Sequence, residues 1–336
     1  MLKKSFNSAL CLCALAGASS TMAQSQNQIY GQLRTSLNHY KTNGAKTTAM
    51  TDNASRIGFR GAEDLGDGLR ALFGLEIGFE SDTGAFSTPA FRYSYVGLAS
   101  RELGTLVMGR LDSSAAGGSP LYSQVAGITT FAANDAGATA VGTSIFNSRN
   151  RVNNAIGYQT PTYQGLDARA RFYMRGAGTA AEPEDTARSL DLGLNYRREE
   201  LRLAIGYGAD YRRGGLKANE FDSKWQVGAR YDLGMLNPYV LVGQDKYNNT
   251  QSSRRAVDYW LIGVQFVSGA HSVVLNVMQR DVQTTVAAER KRQQLAYLYQ
   301  LSKRTQLQTF FDNDGVNSSS PSARVRAFGV GVRHDF

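Results

Sequence analysis

Hydrophobic residues occupy every second position through most of this chain. Between Leu69 and Phe79, the residues Leu69, Ala71, Phe73, Leu75, Ile77 and Phe79 share one parity, and Arg70, Leu72, Gly74, Glu76 and Gly78 share the other. The rows Leu190, Leu192, Leu194, Tyr196 and Leu201, Leu203, Ile205, Tyr207 repeat the arrangement. So do Trp225, Val227, Ala229, Tyr231 and Trp260, Ile262, Val264, Phe266, and then Leu295, Tyr297, Tyr299, Leu301. A period of two over about 8–11 residues predicts a strand with one apolar face and one polar or glycine-rich face. Sixteen such segments begin near Ile29, Ser55, Leu69, Phe91, Leu103, Arg151, Gly165, Ser189, Leu201, Ser223, Pro238, Val257, Ser272, Lys291, Thr305 and Arg324. Their connections alternate between short ones, such as 162–164 and 302–304, and longer polar ones, such as 41–54, 176–187, 210–222 and 312–323.

The identity of the polar face separates two all-β folds. In a soluble sandwich the apolar parity packs into a core and the other parity carries solvated charges of many kinds. Here the second parity is mostly Gly, Ala, Arg, Gln and Asn, and the apolar parity ends repeatedly in Tyr, Phe or Trp. Aromatics at strand ends fit the two girdles around a lipid-facing band. A sheet in lipid must pair every backbone group internally and so must close on itself. The pattern therefore predicts a 16-stranded antiparallel transmembrane β-barrel. That many strands leave a water-filled lumen, whereas eight would be filled by their own side chains.

The N-terminus fits export. Lys3 and Lys4 precede the apolar run 9–18, and Thr21-Met22-Ala23 offers small residues for cleavage, so residues 1–23 read as a signal peptide and 24–336 as the barrel. Cys11 and Cys13 both fall in the leader, which leaves the mature chain without disulfides or a cysteine nucleophile. Without Lys3 and Lys4 the balance is 35 basic to 28 acidic residues, a net charge of +7. The excess is scattered arginine rather than a basic stripe, which argues against nucleic acid and for a field within a cavity.

The runs Ile29-Tyr30-Gly31 and 55–73 (SRIGFRGAEDLGDGLRALF), with 95–98, 104–110, 151–161 and the closing 328–336, resemble the general porins of β-proteobacteria, the neisserial type. The resemblance spans nearly the whole mature chain and is strongest before Pro161. It implies a homotrimer of 16-stranded barrels in the outer membrane, in contact with its lipid and lipopolysaccharide, each pore narrowed by a third loop folded inward. Residues 111–150, about forty without a clean strand, supply such a loop. It also implies a basic cluster on the wall opposite that loop, for which Arg34, Arg60, Arg110 and Arg151 are the candidates. The terminal Phe336 matches the residue read by the barrel assembly machinery.

If the apolar parity faces lipid, further lumen charge comes from Arg56, Arg70, Arg169, Arg171, Arg202 and Arg230, against Glu76, Asp167 and Asp191. Within the long loop only Asp112 and Asp135 are acidic, so the narrowest zone is expected to be net positive and to enrich anions. His39, His271 and His334 do not converge, and no phosphate loop or His-pair spacing appears, so neither catalysis nor a cofactor or metal is expected. The expectation is a passive diffusion channel for small hydrophilic solutes and ions. Its alternatives are a substrate-specific anion channel of the same fold and a surface adhesin.

Overall fold

The fold is described from a computed structural model, which describes residues 26–115, 117–131, 145–146, 149–248, 256–282, 288–317 and 324–336. The leader 1–23 and Asp135 lie outside the described residues. Strands β1 (Gln26–Thr42), β2 (Ala45–Asp52), β3 (Arg56–Gly66), β4 (Leu69–Phe79), β5 (Phe86–Ser100) and β6 (Gly104–Leu111) precede a helix, α1 (Pro120–Ile128). After it come β7 (Val152–Gln159), β8 (Leu166–Met174), β9 (Ala187–Arg198), β10 (Leu201–Arg212), β11 (Glu220–Tyr231) and β12 (Leu236–Asn248). The chain ends with β13 (Ala256–Ser268), β14 (His271–Val282), β15 (Ala288–Gln300), β16 (Thr305–Asn317) and β17 (Arg324–Asp335).

All pairings are antiparallel, and β17 returns to β1 with Gln32 opposite Asp335 and Thr42 opposite Val325. Both β2 and β3 pair with β1, along Thr35–Thr42 and Gln26–Gln32 respectively, and so are two halves of one barrel strand. The result is a closed sixteen-stranded barrel. Its seam is hydrogen-bonded to the last residue: Gly31 N–H donates to Phe336 O and Phe336 N–H to Gly31 O, both at 3.0 Å.

The break between β2 and β3 has its own partners. Ala54 takes φ 68°, and the Asp52 carboxylate accepts the N–H groups of Ala54 (2.8 Å) and Ser55 (3.1 Å). The stretch 41–54, expected as a long loop, is instead a hairpin. It turns at Asn43-Gly44, whose positive φ values of 49° and 98° suit a two-residue turn. The β2 sequence AKTTAMTD lacks apolar alternation, so nothing in its pattern marked it as a strand.

The two faces separate as parity requires. Leu75, Ile205, Val227, Ile262, Leu295 and Val330 are exposed outside, while Glu76, Asp191, Gln226 and Arg292 are buried inside. This is the inverse of a water-soluble protein and the arrangement expected for a barrel wall in lipid. Among the described residues no helix is long and apolar enough to cross a membrane.

The apolar core lies inside the barrel. Val125, Ile128, Ile145 and Phe146 from the third loop meet Ala204, Tyr239, Leu241, Tyr259, Leu261 and Met278 from the lumen wall. A smaller cluster, Val107, Leu111, Ala115, Ala155 and Tyr173, holds the start of the loop.

Candidate functional site

The site is built by laying the third loop against one wall. Helix α1 begins with Ser119, whose hydroxyl accepts the Tyr122 N–H (3.2 Å), and Pro120 in its first turn. Leu121, Val125 and Ile128, spaced i, i+4, i+7, form its buried stripe. The wall beneath carries glycine on the lumen parity. A Cβ at Gly193 would stand 2.7 Å from Pro120 Cβ, one at Gly206 2.7 Å from Leu121 Cδ2, and one at Gly228 3.0 Å from Ile128 Cγ1. The glycines on this face are therefore the seat of the helix. Gln226 Nε2 donates to Leu121 O (2.8 Å) and Gln124 Oε1 (2.9 Å), and Gln124 Nε2 donates to Ile205 O (2.7 Å).

Cations from the wall hold the returning limb of the loop by its carbonyls. Arg171, with no exposed surface, donates to Arg149 O (2.6 Å), Asn150 O (3.1 Å) and Asp191 Oδ2 (2.7 Å). Arg280 donates to Ile145 O (3.2 Å) and Lys224 Nζ to Phe146 O. Arg149 pairs with Asp191 (2.6 Å) and with Asp210. The two ends of the loop meet where Asn150 Oδ1 accepts the Ser113 N–H (3.0 Å).

What the loop leaves open is a cavity of about 400 Å³ between its base and the facing wall. Arg34, Arg56, Arg92, Arg151 and Arg333 line it, opposite Asp112, Ser113 and Tyr122. Glu76 takes Arg92 at 2.6 Å, Arg56 at 3.5 Å and the Tyr30 hydroxyl at 3.0 Å. Arg333 pairs with Asp335 (2.8 Å), and Arg34 donates to Gln308 Oε1 (3.2 Å). Arg151 has no carboxylate in ion-pair range among the described residues. Among the described residues, five guanidinium groups thus meet three carboxylates, Glu76, Asp335 and the buried Asp112.

The family profile described as Gram-negative porin matches residues 8–318. The chain belongs to the Gram-negative porin family. It is similar to an outer membrane porin protein of Bordetella pertussis, 26% identical with all of both chains covered. It is also similar to the major outer membrane protein P.IB of Neisseria sicca, 29% identical over 75% of this chain and 67% of that one. Among solved structures, the anion-selective porin from Comamonas acidovorans superposes with a TM-score of 0.71 at 23% identity, covering 93% of this chain and 100% of that one. The protein is an outer-membrane porin, and its lumen is a channel.

Within the porin, Arg34 and Arg151 line the cavity, and Arg60 and Arg110 do not. Arg60 faces the lumen lower down, bonded to Gln28 Oε1 (2.9 Å) with its guanidinium 4.9 Å from the Tyr30 ring centre. Arg110 faces outward. It shares the parity of the exposed Leu106 and Met108, whereas Leu111 shares that of the buried Val107 and turns inward. Arg110, opposite Ser94, then donates to Phe91 O (2.7 Å) and Asn153.

Arg56, expected only as further lumen charge, joins the cavity, as do the unforeseen Arg92 and Arg333. Arg92 is the extra residue of a β-bulge opposite Glu76 and Ile77, where alternation gives no guide. Arg333 was legible, because Phe328, Val330, Val332 and Phe336 define its parity.

The remaining lumen charges are largely paired. Arg169 lies 3.7 Å from Asp167, and Arg202 and Arg230 each lie 2.7 Å from Asp232. Burial would raise the Asp232 carboxyl, but the Arg230 hydrogen bond and charge, then Arg202, hold it below its usual value. Arg171 is a sealed anchor of the loop rather than pore-lining charge. Arg70 is exposed near the short-turn mouth.

Proposed function

We propose that this porin passes small hydrophilic solutes by passive diffusion with a preference for anions, and that residues 111–150 form its constriction. The observation that carries the reading is the cavity where Arg34, Arg56, Arg92, Arg151 and Arg333 face Asp112. Low-dielectric walls focus such a field, and arginine stays charged at any biological pH. Two unit charges about 8 Å apart interact by about 2 kcal/mol at an effective dielectric of about 20, enough to bias permeation about tenfold without a binding site. The structurally similar Comamonas acidovorans protein is described as anion-selective, in keeping with this reading.

The same reading takes the chain as a non-catalytic homotrimer, exported by the leader 1–23 and inserted through recognition of Phe336. In planar bilayers under a salt gradient, Arg34→Glu with Arg151→Glu should move the reversal potential toward cation preference. An unchanged reversal potential refutes the cluster. Saturable block by one solute would instead favour the substrate-specific channel, and absence of conductance the adhesin.

A further inference from the structure

Helix α1 has a cavity on each side. Tyr122 borders the constriction cavity, whereas Ser123, Gln124 and Gly127 roof a second one of about 230 Å³. The wall of the second cavity is the foot of β8, β9 and β10, where Arg197 and Arg202 flank the short turn 199–200.

Register lays this wall out in rows. Asp167 stands opposite Asn195, and Asn195 opposite Ala204. Two residues nearer the turn, Arg197 stands opposite Arg202, and two residues the other way Arg169 stands opposite Gly193. Rows two residues apart on a strand lie about 7 Å apart. A carboxylate row is thus set between cations above and below it.

These charges are only half engaged. Asp167 Oδ1 accepts Asn195 Nδ2 (3.0 Å), while Arg169 Nε stands 3.7 Å from the same oxygen, beyond hydrogen-bond length. Arg169 Nε and Arg202 Nε are buried without a hydrogen-bond partner among the described residues. Arg202 Nη2 is taken by Asp232 (2.7 Å). Arg197 is exposed and makes no ion pair among the described residues.

The two cavities therefore differ in kind. Around the first, arginine is in excess and the carboxylates are engaged. The second presents both signs, a short distance apart, with bonding capacity to spare. A bare cation there would meet three arginines, and a bare anion would meet Asp167. A dipolar ion meets a partner at each end, and a pocket with a few convergent polar groups is the usual form of a small-molecule site.

We propose that this second cavity binds a small zwitterionic amino acid. Its ammonium group lies on Asp167 and Asn195 Oδ1, and its carboxylate lies on Arg197 and Arg202. Hydrogen bonds between ionised partners are the strong ones, and the guanidinium fork matches a carboxylate. The inference rests on the channel reading, which brings solute into the lumen.

The test is saturation-transfer NMR on the full-length porin refolded in detergent micelles. The probes are L-alanine and its two single-charge analogues, propionate, which lacks the ammonium, and ethylammonium, which lacks the carboxylate. Alanine should bind saturably and about tenfold more tightly than either analogue. Arg197→Gln should weaken alanine about tenfold. Asp167→Asn should weaken alanine by a similar factor yet strengthen propionate, an opposite pair of shifts that a merely structural role would not produce. Propionate binding as tightly as alanine, alanine binding unchanged in Asp167→Asn, or no saturable signal from alanine overturns the proposal. Arg34→Glu with Arg151→Glu, on the other side of α1, should leave alanine binding as in wild type. A failure of the constriction cluster and a failure of this site are therefore read separately.

Discussion

The two walls of the lumen use the same residue types to opposite ends. On the β8–β14 side, Arg171, Lys224 and Arg280 lie against Asp191 and Asp245, and their remaining donors hold carbonyls of the third loop, whose own Arg149 reaches Asp191 and Asp210. On the side of β1, β3, β5 and β17, four arginines, with Arg151 just before β7 as a fifth, share fewer carboxylates and face open space. Neutralised and buried, a cation fastens one part of the chain to another. In excess and solvated, it sets a field that a passing ion feels. Counting arginines says little about a pore until their partners are known.

The largest effect is expected on the fastening wall. Asp191→Ala leaves the buried Arg171 without its carboxylate and Arg149 with Asp210 alone, and should cost about 3–5 kcal/mol, read as a lower denaturation midpoint in detergent. Reversal potential should move little, and an unchanged midpoint would show that the pairs do not hold the loop. Next in size, Gly206→Val places methyl groups where Leu121 and Gln124 lie, at a cost of about 1–3 kcal/mol. Displacement of α1 from its seat should raise single-channel conductance. If both stability and conductance stay as in wild type, the helix does not rest on that wall.

The smallest effects sharpen the open wall. Arg92→Gln should lower the anion-to-cation permeability ratio about threefold. Arg60→Gln, below the cavity and stacked on Tyr30, should change it less. An equal response to both would mean the field is spread along the lumen rather than gathered at the cavity.

Much of the barrel could be read directly from alternation, because lipid on one side and water on the other impose a strict period of two. The limits of that reading are equally physical. The β2 strand escaped because it is polar on both faces. Tyr239, Leu241, Tyr259 and Leu261 are apolar on the lumen parity because the loop, rather than water, covers them. Arg92 sits at a register slip, where one extra residue reverses the direction of a side chain, whereas Arg110 follows the outward parity of Leu106 and Met108 against its place in the expected cluster. In the site, Arg34 and Arg151 followed from parity and resemblance, whereas the choice between Arg56 and Arg60 on one strand depends on height in the barrel, which parity does not encode.

The residue order alone settled which face of most strands meets hydrocarbon, that the sheet must close, and that a forty-residue excursion interrupts it, because solvent partition acts on each side chain locally. Only the folded barrel decided where that excursion lies, which lumen glycines receive it, and which arginines are left in excess after their neighbours are paired. Those outcomes depend on distances between strands far apart in sequence, and a distance across a lumen has no period along the chain.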